Sequence, residues 1–587
     1  MTNVTTLTAA LEDRLRSAIA SAFPAGAGAD PLVRPSEHAD YQANGALPLA
    51  KRLGLPSREV ATRIAAALGA PDDLVARVEV AGPGFLNITL TERAVLGQVG
   101  ARLGDARLAV RPASGGTVTV IDYSQPNIAK EMHVGHLRST IIGDALVRSL
   151  EFDGSQVVRQ NHLGDWGTQF GMLIQHLFEH PEIRAPRDAH ESGDEAISRL
   201  NALYQAARRR FDRDPAFADR ARQRVVALQA GDPDTVAGWQ EIVTESKIYF
   251  NEVYDRLGVR LTDDDAVGES FYNPYLRDIA ADLEKRGVAV RSDGALCVFF
   301  DDVRGPDGAP VPLIIQKSDG GFGYAATDLA AIRYRVEKLG ATRILYVVDA
   351  RQALHFRMVF AAARRAGYLP EGVEAVHVSF GSVLGPDGRP FKTRAGDTVR
   401  LIELLDEAVD RARATVAEKN PELPPDLIEQ RAVEVGIGAV KYADLATSRT
   451  RDYLFDIDRM VSLTGNTGVY LQYAHARIRS ILAKAGPDAG GAVDPAVALE
   501  PAERRLAMAL DEFGPTLRSV AETLEPHRLC GYLYALAQAF TDFYESCPVL
   551  KAPTDAVRGN RLALCRLTGD TVTLGLELLG IAAPAPM

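Results

Sequence analysis

The stretch that most constrains this chain is residues 117–140, Thr-Val-Thr-Val-Ile-Asp-Tyr-Ser-Gln-Pro-Asn-Ile-Ala-Lys-Glu-Met-His-Val-Gly-His-Leu-Arg-Ser-Thr. Residues 117–124 are rich in β-branched side chains and predict a buried strand. Pro126 and Asn127 end it. From about His136 through Phe152, Leu137, Ile141, Ala145 and Arg148–Leu150 recur at helical spacing. Strand, short loop and helix form the opening unit of a nucleotide-binding α/β domain.

The loop carries the chemistry. His133 and His136 lie three apart at the predicted helix start, so both rings can project from its first turn. The unpaired N–H groups and positive dipole end there favour anions. Gly135 has no side chain, which leaves room for a base or phosphate to approach the backbone. Imidazoles at this place could donate to a phosphate whose charge grows in a transition state, and Lys130 adds a cation.

The element His133-Val-Gly-His136 resembles the His-Ile-Gly-His signature of class I aminoacyl-tRNA synthetases. The wider run 124–140 resembles, more narrowly, the arginyl-tRNA synthetases. Two surface histidines at an ordinary helix start are the bland alternative. A zinc pair is disfavoured, because no cysteine lies near and no third ligand has metal-site spacing.

The 587 residues suggest roughly three to five domains. Hydrophobic content of 46% and charged content of 24% are those of a soluble globular protein. There is no apolar run long enough for a membrane span, and the N-terminus lacks a signal-peptide layout. Cys297, Cys530, Cys547 and Cys565 are scattered, which predicts reduced thiols in a cytoplasm. A net charge of −11 argues against a general nucleic-acid binder. Local basic patches such as 208–210, 364–365 and Arg477 with Arg479 leave a specific RNA contact open.

Residues 1–110 predict a small α+β unit. Leu7, Leu11, Leu15, Ile19 and Phe23 give an amphipathic helix, Ser57 is expected to cap a second helix ending at Leu68, and Leu86, Ile88 and Leu90 alternate as in a half-buried strand. This unit, with Asp40-Tyr-Gln-Ala-Asn-Gly45, resembles the N-terminal domain of the arginyl enzymes, which in that family contacts the outer corner of the tRNA. Residues 111–116 form a linker. Residues 117–400 are expected to make a Rossmann-like catalytic domain, interrupted at about 175–320. A second strand begins at Gln156 and would complete a right-handed βαβ unit, placing Asn161, His162, Asp165 and Trp166 near the crevice at the strands' carboxyl ends. The interruption reads as helices over 196–210, 215–229 and 237–257, then short strands and turns over 287–320. It contains no all-β block of editing size. A site pairing carboxylates with a guanidinium has less need of editing.

Tyr324 and Asp328 lie four apart, on one face of a helix. Residues 343–349 and 376–380 read as strands, with Gln352 and His355 at the carboxyl end of the first. Residues 385–396 form a glycine-rich basic loop suited to closing over a triphosphate. It sits where class I synthetases carry Lys-Met-Ser-Lys-Ser but reads Phe391-Lys-Thr-Arg-Ala395, so the second lysine is absent and Lys130 is a candidate for the missing charge. From about 398 the chain reads as almost all helix: a connector over 401–465 and a bundle over 466–587, the latter with apolar stripes such as Leu506, Leu510, Phe513, Leu517 and Val520. This end resembles the synthetase anticodon-binding domain. Tyr470, Gln472 and Arg477 are its candidates for stacking on or bonding unpaired bases.

The resemblance implies an α/β class I synthetase with a small α+β N-terminal domain and an all-α C-terminal anticodon-binding bundle. It implies ligation of L-arginine to arginine tRNA through an arginyl-adenylate, with ATP as substrate, Mg2+ accompanying it, and adenylate formation requiring bound tRNA. It assigns Lys130, His133, Gly135, His136, Lys392 and Arg394 to ATP and catalysis. Asp122, Asn127, Glu269, Tyr324, Asp328 and Gln352 go to arginine, while His162, Asp165 and His355 line the site. A monomeric cytoplasmic protein with no resident metal and no membrane contact is expected. A tRNA-independent adenylyltransferase of the same superfamily fits the long helical end poorly. An inactive RNA-binding paralogue fits the intact His133, Gly135, His136 and Lys130 poorly.

Overall fold

Four parallel strands make the sheet on which the site is built. Their order is Glu374–His377, Arg343–Tyr346, Val118–Asp122 and Gln156–Gln160. Tyr346 pairs with Asp122 and with His377, and Asp122 pairs with Gln160, so the four carboxyl ends are level. Val120, Ile121, Ile344 and Leu345 are fully buried, as expected of a sheet covered on both faces. The coordinates are a computed structural model that describes residues 5–69, 71–184, 193–305, 308–385, 387–389, 391, 399–419, 421–486 and 493–583.

The first strand stops at Asp122, before the predicted Ser124, because Ser124 and Gln125 turn into the left-handed region, with φ of 75° and 56°. Ala129 does the same at 60°. Three non-glycine residues in that region within one loop is a concentration of strain that surrounding structure must hold. The signature helix, Val134–Phe152, buries residues all round its axis. It lies between the sheet and three helices of the C-terminal half: Pro425–Leu445, Phe513–Thr523 and Asp555–Leu578.

In the N-terminal unit, helices Leu7–Ala22 and Ser57–Leu68 pack on an antiparallel sheet ordered Val33–Pro35, Tyr41–Ala43, Phe85–Leu90 and Val75–Ala81. The predicted cap Ser57 is instead the helix's first residue. Pro56 precedes it in extended conformation, with no side-chain cap. This unit docks on the far end of the chain. The Leu7 N–H donates to Asp511 (2.7 Å), Gln98 donates to the Ala507 carbonyl (2.7 Å), and Arg504 donates to Asp40 (2.7 Å) and to the Leu90 carbonyl (2.5 Å).

The interruption supplies helices Thr168–Glu179, Gly193–Arg213, Pro215–Gln229 and Pro233–Leu257. It then supplies a three-stranded antiparallel sheet of Val290–Ser292, Ala295–Val298 and Leu313–Gln316. The hairpin at Asp293-Gly294 has both φ angles positive (48° and 80°), the backbone a tight two-residue turn demands. From Leu401 on, the one strand among the described residues is Tyr453–Leu454, which pairs in parallel with Val383–Leu384 and which helical periodicity could not reveal. The stripe at Leu506, Leu510, Phe513, Leu517 and Val520 is buried, as are all four cysteines, which are free.

Candidate functional site

The signature histidines cap their own helix. His133 is the N-cap, and its Nδ1 accepts the Gly135 N–H at 3.0 Å. His136 Nδ1 accepts the His133 N–H at 3.1 Å, completing a reciprocal capping box. The rings lie 4.0 Å apart between centroids. An Nδ1 that accepts carries no proton, so each neutral ring holds its proton on Nε2 and presents it as a donor. Burial and then the Arg351 charge lower the His133 pKa. Burial and then His133 push His136 down to about 3. Both rings are therefore uncharged donors at neutral pH. Gly135 makes room for the folded-back imidazole: a Cβ there would meet the His133 ring at 2.8 Å.

The loop before the helix is held from behind by the interrupting helix Pro233–Leu257. Ser246 Oγ accepts the Ala129 N–H (3.0 Å) and Tyr249 Oη accepts the Met132 N–H (3.2 Å). The Tyr254 hydroxyl meets Ser124 Oγ (2.7 Å) and accepts from Asn161 Nδ2 (2.9 Å). Sequence reasoning treated this helix only as an interruption. The hydroxyls at 246, 249 and 254, on one side of a helix, were the available signal. Lys130 Nζ sits over the Tyr204 ring, 5.2 Å from its centroid. Asn127 is exposed, with its Oδ1 against Gly164, where a Cβ would come within 2.3 Å. Lys392 and Arg394 lie outside the described residues. On the near side of that segment the Phe391 N–H donates to Val383. On the far side the Leu401 N–H donates to Met132 (2.9 Å), and Arg400 bridges His133 and pairs with Glu131 (3.1 Å).

The acidic end of the crevice lies at two helix starts, Glu269–Lys285 and Tyr324–Glu337. Burial, then the Asp165 charge and more weakly that of Asp328, raise Glu269 to about 7. Asp328 is half-buried and meets His355 Nε2 at 2.6 Å. Arg333, on the same helix as Asp328, pairs with Glu337 (3.0 Å). Tyr324 is 78% exposed at the first turn of its helix, and Gln352 is exposed at the N-terminus of helix Ala353–Arg365. His162 stacks on Tyr272 at 5.8 Å.

Two residues expected in the site, Asp122 among the arginine ligands and Asp165 in its lining, are engaged by the protein itself. Asp122 is buried, with one oxygen taken by Arg335 (2.6 Å) and the other by Gln125 (2.8 Å). A carboxylate so buried and paired holds the sheet's end together. Asp165 accepts the Ser270 N–H (2.8 Å) and hydroxyl (2.6 Å), capping the helix that begins at Glu269. Its effect on the site is to position Glu269 and raise its pKa. Arg351, which the sequence reading passed over, lies beside His133 at the end of strand Arg343–Tyr346, held by Asp349 at 2.8 and 3.0 Å. Its neighbour Gln352 had already marked that strand end.

Residues 101–457 match the family described as tRNA synthetases class I (R), catalytic domain. The chain belongs to the arginyl-tRNA synthetases. In this family's order, residues 9–90 match the arginyl tRNA synthetase N-terminal domain and residues 471–587 the DALR anticodon binding domain. The fold is thus a class I catalytic domain between an N-terminal domain and a helical C-terminal domain. The chain is 61% identical over 578 residues to an arginine–tRNA ligase of Frankia casuarinae, covering 98% of each. It is 57% identical over 589 residues to one of Streptomyces avermitilis, covering all of both. Among solved structures it is similar to Thermus thermophilus arginyl-tRNA synthetase (TM-score 0.79, 28% identity, 98% of this chain and all of the other). It is also similar to the Plasmodium falciparum enzyme (TM-score 0.81, 27% identity, all of both chains).

In the part matching the synthetases' anticodon domain, helix Gly468–Ala485 divides the three predicted base-reading residues. Gln472 is fully buried, donating to the Glu434 (3.2 Å) and Ala582 (2.9 Å) carbonyls, so it is a structural amide out of reach of a base. Tyr470 packs on Tyr534 at 5.5 Å. Arg477 lies over Tyr473 and Tyr544, 5.2 and 5.7 Å from their centroids, and these rings are 42% and 41% exposed. No described helix is long and apolar enough to cross a membrane.

Proposed function

We propose that this chain joins L-arginine to arginine tRNA, in the crevice between His133 and Asp328. The arginine carboxylate attacks the ATP α-phosphate, giving arginyl-adenylate and diphosphate, and the arginyl group then passes to the terminal ribose of the tRNA. The observation that carries this reading is that both signature histidines are neutral, with Nδ1 already engaged, so that their Nε2–H groups serve as fixed donors to the phosphates. Donors held in place before reaction cost no reorganisation as phosphate charge develops. Lys130, Arg351, Lys392 and Arg394 are the cations assigned to the triphosphate.

At the other end Glu269 and Asp328 receive the guanidinium, and His355 holds Asp328 in place. A planar cation with five donors suits two converging carboxylates. Tyr324, Asn127 and Gln352 are assigned to the remaining polar groups of arginine, and His162 lines the crevice. Asp122 is left out. Among the described residues no group of three or more His, Cys, Asp or Glu side chains could hold a metal. Mg2+ accompanying ATP is assigned to its phosphates. Tyr473, Arg477 and Tyr544, with Tyr470 beside them, form the face proposed for unpaired tRNA bases, since exposed rings and a guanidinium stack on bases of any sequence. Exchange of labelled diphosphate into ATP, measured across the twenty amino acids with and without tRNA, tests the reading. Exchange confined to arginine is expected, and exchange with another amino acid alone would refute it.

A further inference from the structure

Arg138, two residues after the second signature histidine, is fully buried in the second turn of the signature helix. Its Nε lies 3.2 Å from Asp444 of helix Pro425–Leu445. Its Nη1 donates to two main-chain carbonyls of separate segments, Gly381 at 2.8 Å and Arg451 at 2.9 Å. The rings of Phe380 and Tyr453 flank the guanidinium at 5.8 and 5.1 Å. The two segments are themselves knitted together. The Gly381 N–H donates to Arg449 (2.8 Å), the Ser382 N–H donates to Asp452 (2.6 Å), and 383–384 pairs in parallel with 453–454. Arg449 ties the junction onward, donating to the Ser379 (2.7 Å) and Leu524 (2.9 Å) carbonyls. A Cβ at Gly381 would come within 2.6 Å of Asp452, so the approach is as close as a backbone allows.

A buried ion pair is a poor source of stability compared with apolar packing of the same volume. What a guanidinium offers that apolar packing lacks is a rigid fork of donors that fixes an angle between its partners. Here the fork ties four elements: the helix that begins with the signature histidines, helix Pro425–Leu445, the segment at Gly381 that leads into strand Val383–Leu384, and the segment 449–455. We propose that Arg138 is a positioning residue for adenylate formation, which keeps the His133 and His136 donors in register with the segment 380–384 and with helix Pro425–Leu445. The proposal rests on the histidine roles given above.

The test uses two full-length variants, Arg138→Lys and the pair Arg138→Gln with Asp444→Asn. The second removes both charges, so it leaves no unpaired buried ion and is built to fold. Diphosphate exchange with tRNA present gives kcat and the two substrate KM values, filter binding gives the tRNA Kd, and thermal unfolding gives Tm. Displacement of reacting groups by about 1 Å costs on the order of a hundredfold. The double variant is therefore expected to lose roughly a hundredfold in kcat and the lysine variant about tenfold, with arginine KM and tRNA Kd within about twofold of wild type. A folded double variant whose kcat lies within about twofold of wild type, whatever its Tm, would overturn the proposal, because the pair would then be structural only. His136→Ala, measured alongside, separates the two claims. If it too is fully active, the histidine roles fail. If it is impaired while the double variant is not, only the Arg138 role fails.

Discussion

The histidine end of the crevice draws both donors from four consecutive residues, 133–136, and keeps them uncharged. The acidic end draws Glu269, Asp328 and His355 from three helix starts and works by charge. The first is set by backbone bonds inside one turn, so it forms wherever that turn forms. The second exists only when helices Glu269–Lys285 and Tyr324–Glu337 pack together and Asp165 caps the former. On the roles proposed above, phosphate chemistry sits on a local motif, whereas choice of amino acid sits on tertiary packing.

The largest expected effect tests the acidic end. Removing a carboxylate that holds a guanidinium costs about 2–5 kcal/mol. Asp328→Ala should therefore raise the arginine KM some thirtyfold or more, leaving ATP KM and Tm near wild type. An unchanged arginine KM would dissolve the contrast drawn above. At the histidine end, His136→Ala should cost roughly 3 kcal/mol, about a hundredfold in kcat, with little change in arginine KM. Steady-state kinetics at saturating ATP would show whether the loss falls on kcat.

A smaller effect is expected at the proposed RNA face, where stacking is worth about 1–3 kcal/mol per base. Tyr473→Ala and Tyr544→Ala should raise the tRNA KM roughly five- to a hundredfold, while Gln472→Ala, which removes a buried amide, should act on Tm instead. Equal tRNA KM values for all three variants and wild type would remove the face from consideration.

The sharpest contrast between the two ends is in pH. His136 is pushed down to about 3 and His133 is lowered from its ordinary value, so at saturating arginine the pair should impose no change in kcat between pH 7 and 8. Glu269, raised to about 7, still holds a proton in the empty pocket at pH 6, whereas the guanidinium requires the carboxylate. The arginine KM should fall as pH rises through 7, and Glu269→Gln should flatten that slope. Stability runs the other way. A carboxyl whose folded pKa is raised lends stability below the ordinary carboxylate range and loses it as pH climbs through the folded value. Glu269→Gln should therefore melt a few degrees above wild type at pH 8 and show a smaller gain at pH 5.

These differences also explain what could be read from sequence. The 117–140 unit was legible because strand, loop and helix signals are local, and the fold class followed from it. That Tyr324 and Asp328 share one helix was legible as a helical spacing. Asp122 was not, because Arg335, which takes its carboxylate, lies 213 residues away. Nor could any pattern in 161–170 say that Asp165 would cap a helix 105 residues later. Gln472 looked like its neighbours because positions 470–477 mix apolar and polar types. Only the packing against Glu434 and Ala582 decides which way that residue faces.

The contact between the two ends of the chain bears on how the protein is made. Arg504 donates to the Leu90 carbonyl across 414 residues. At a synthesis rate of about 5–20 residues per second, the N-terminal unit leaves the ribosome roughly 20–80 s before its docking surface exists. During that interval Asp40 has no Arg504 to pair with and the Leu7 amide has no Asp511. Chains stalled before residue 500 should accordingly be cut by protease within 5–90 faster than the finished protein, and the last third of the molecule acts on the first as a late-arriving clamp.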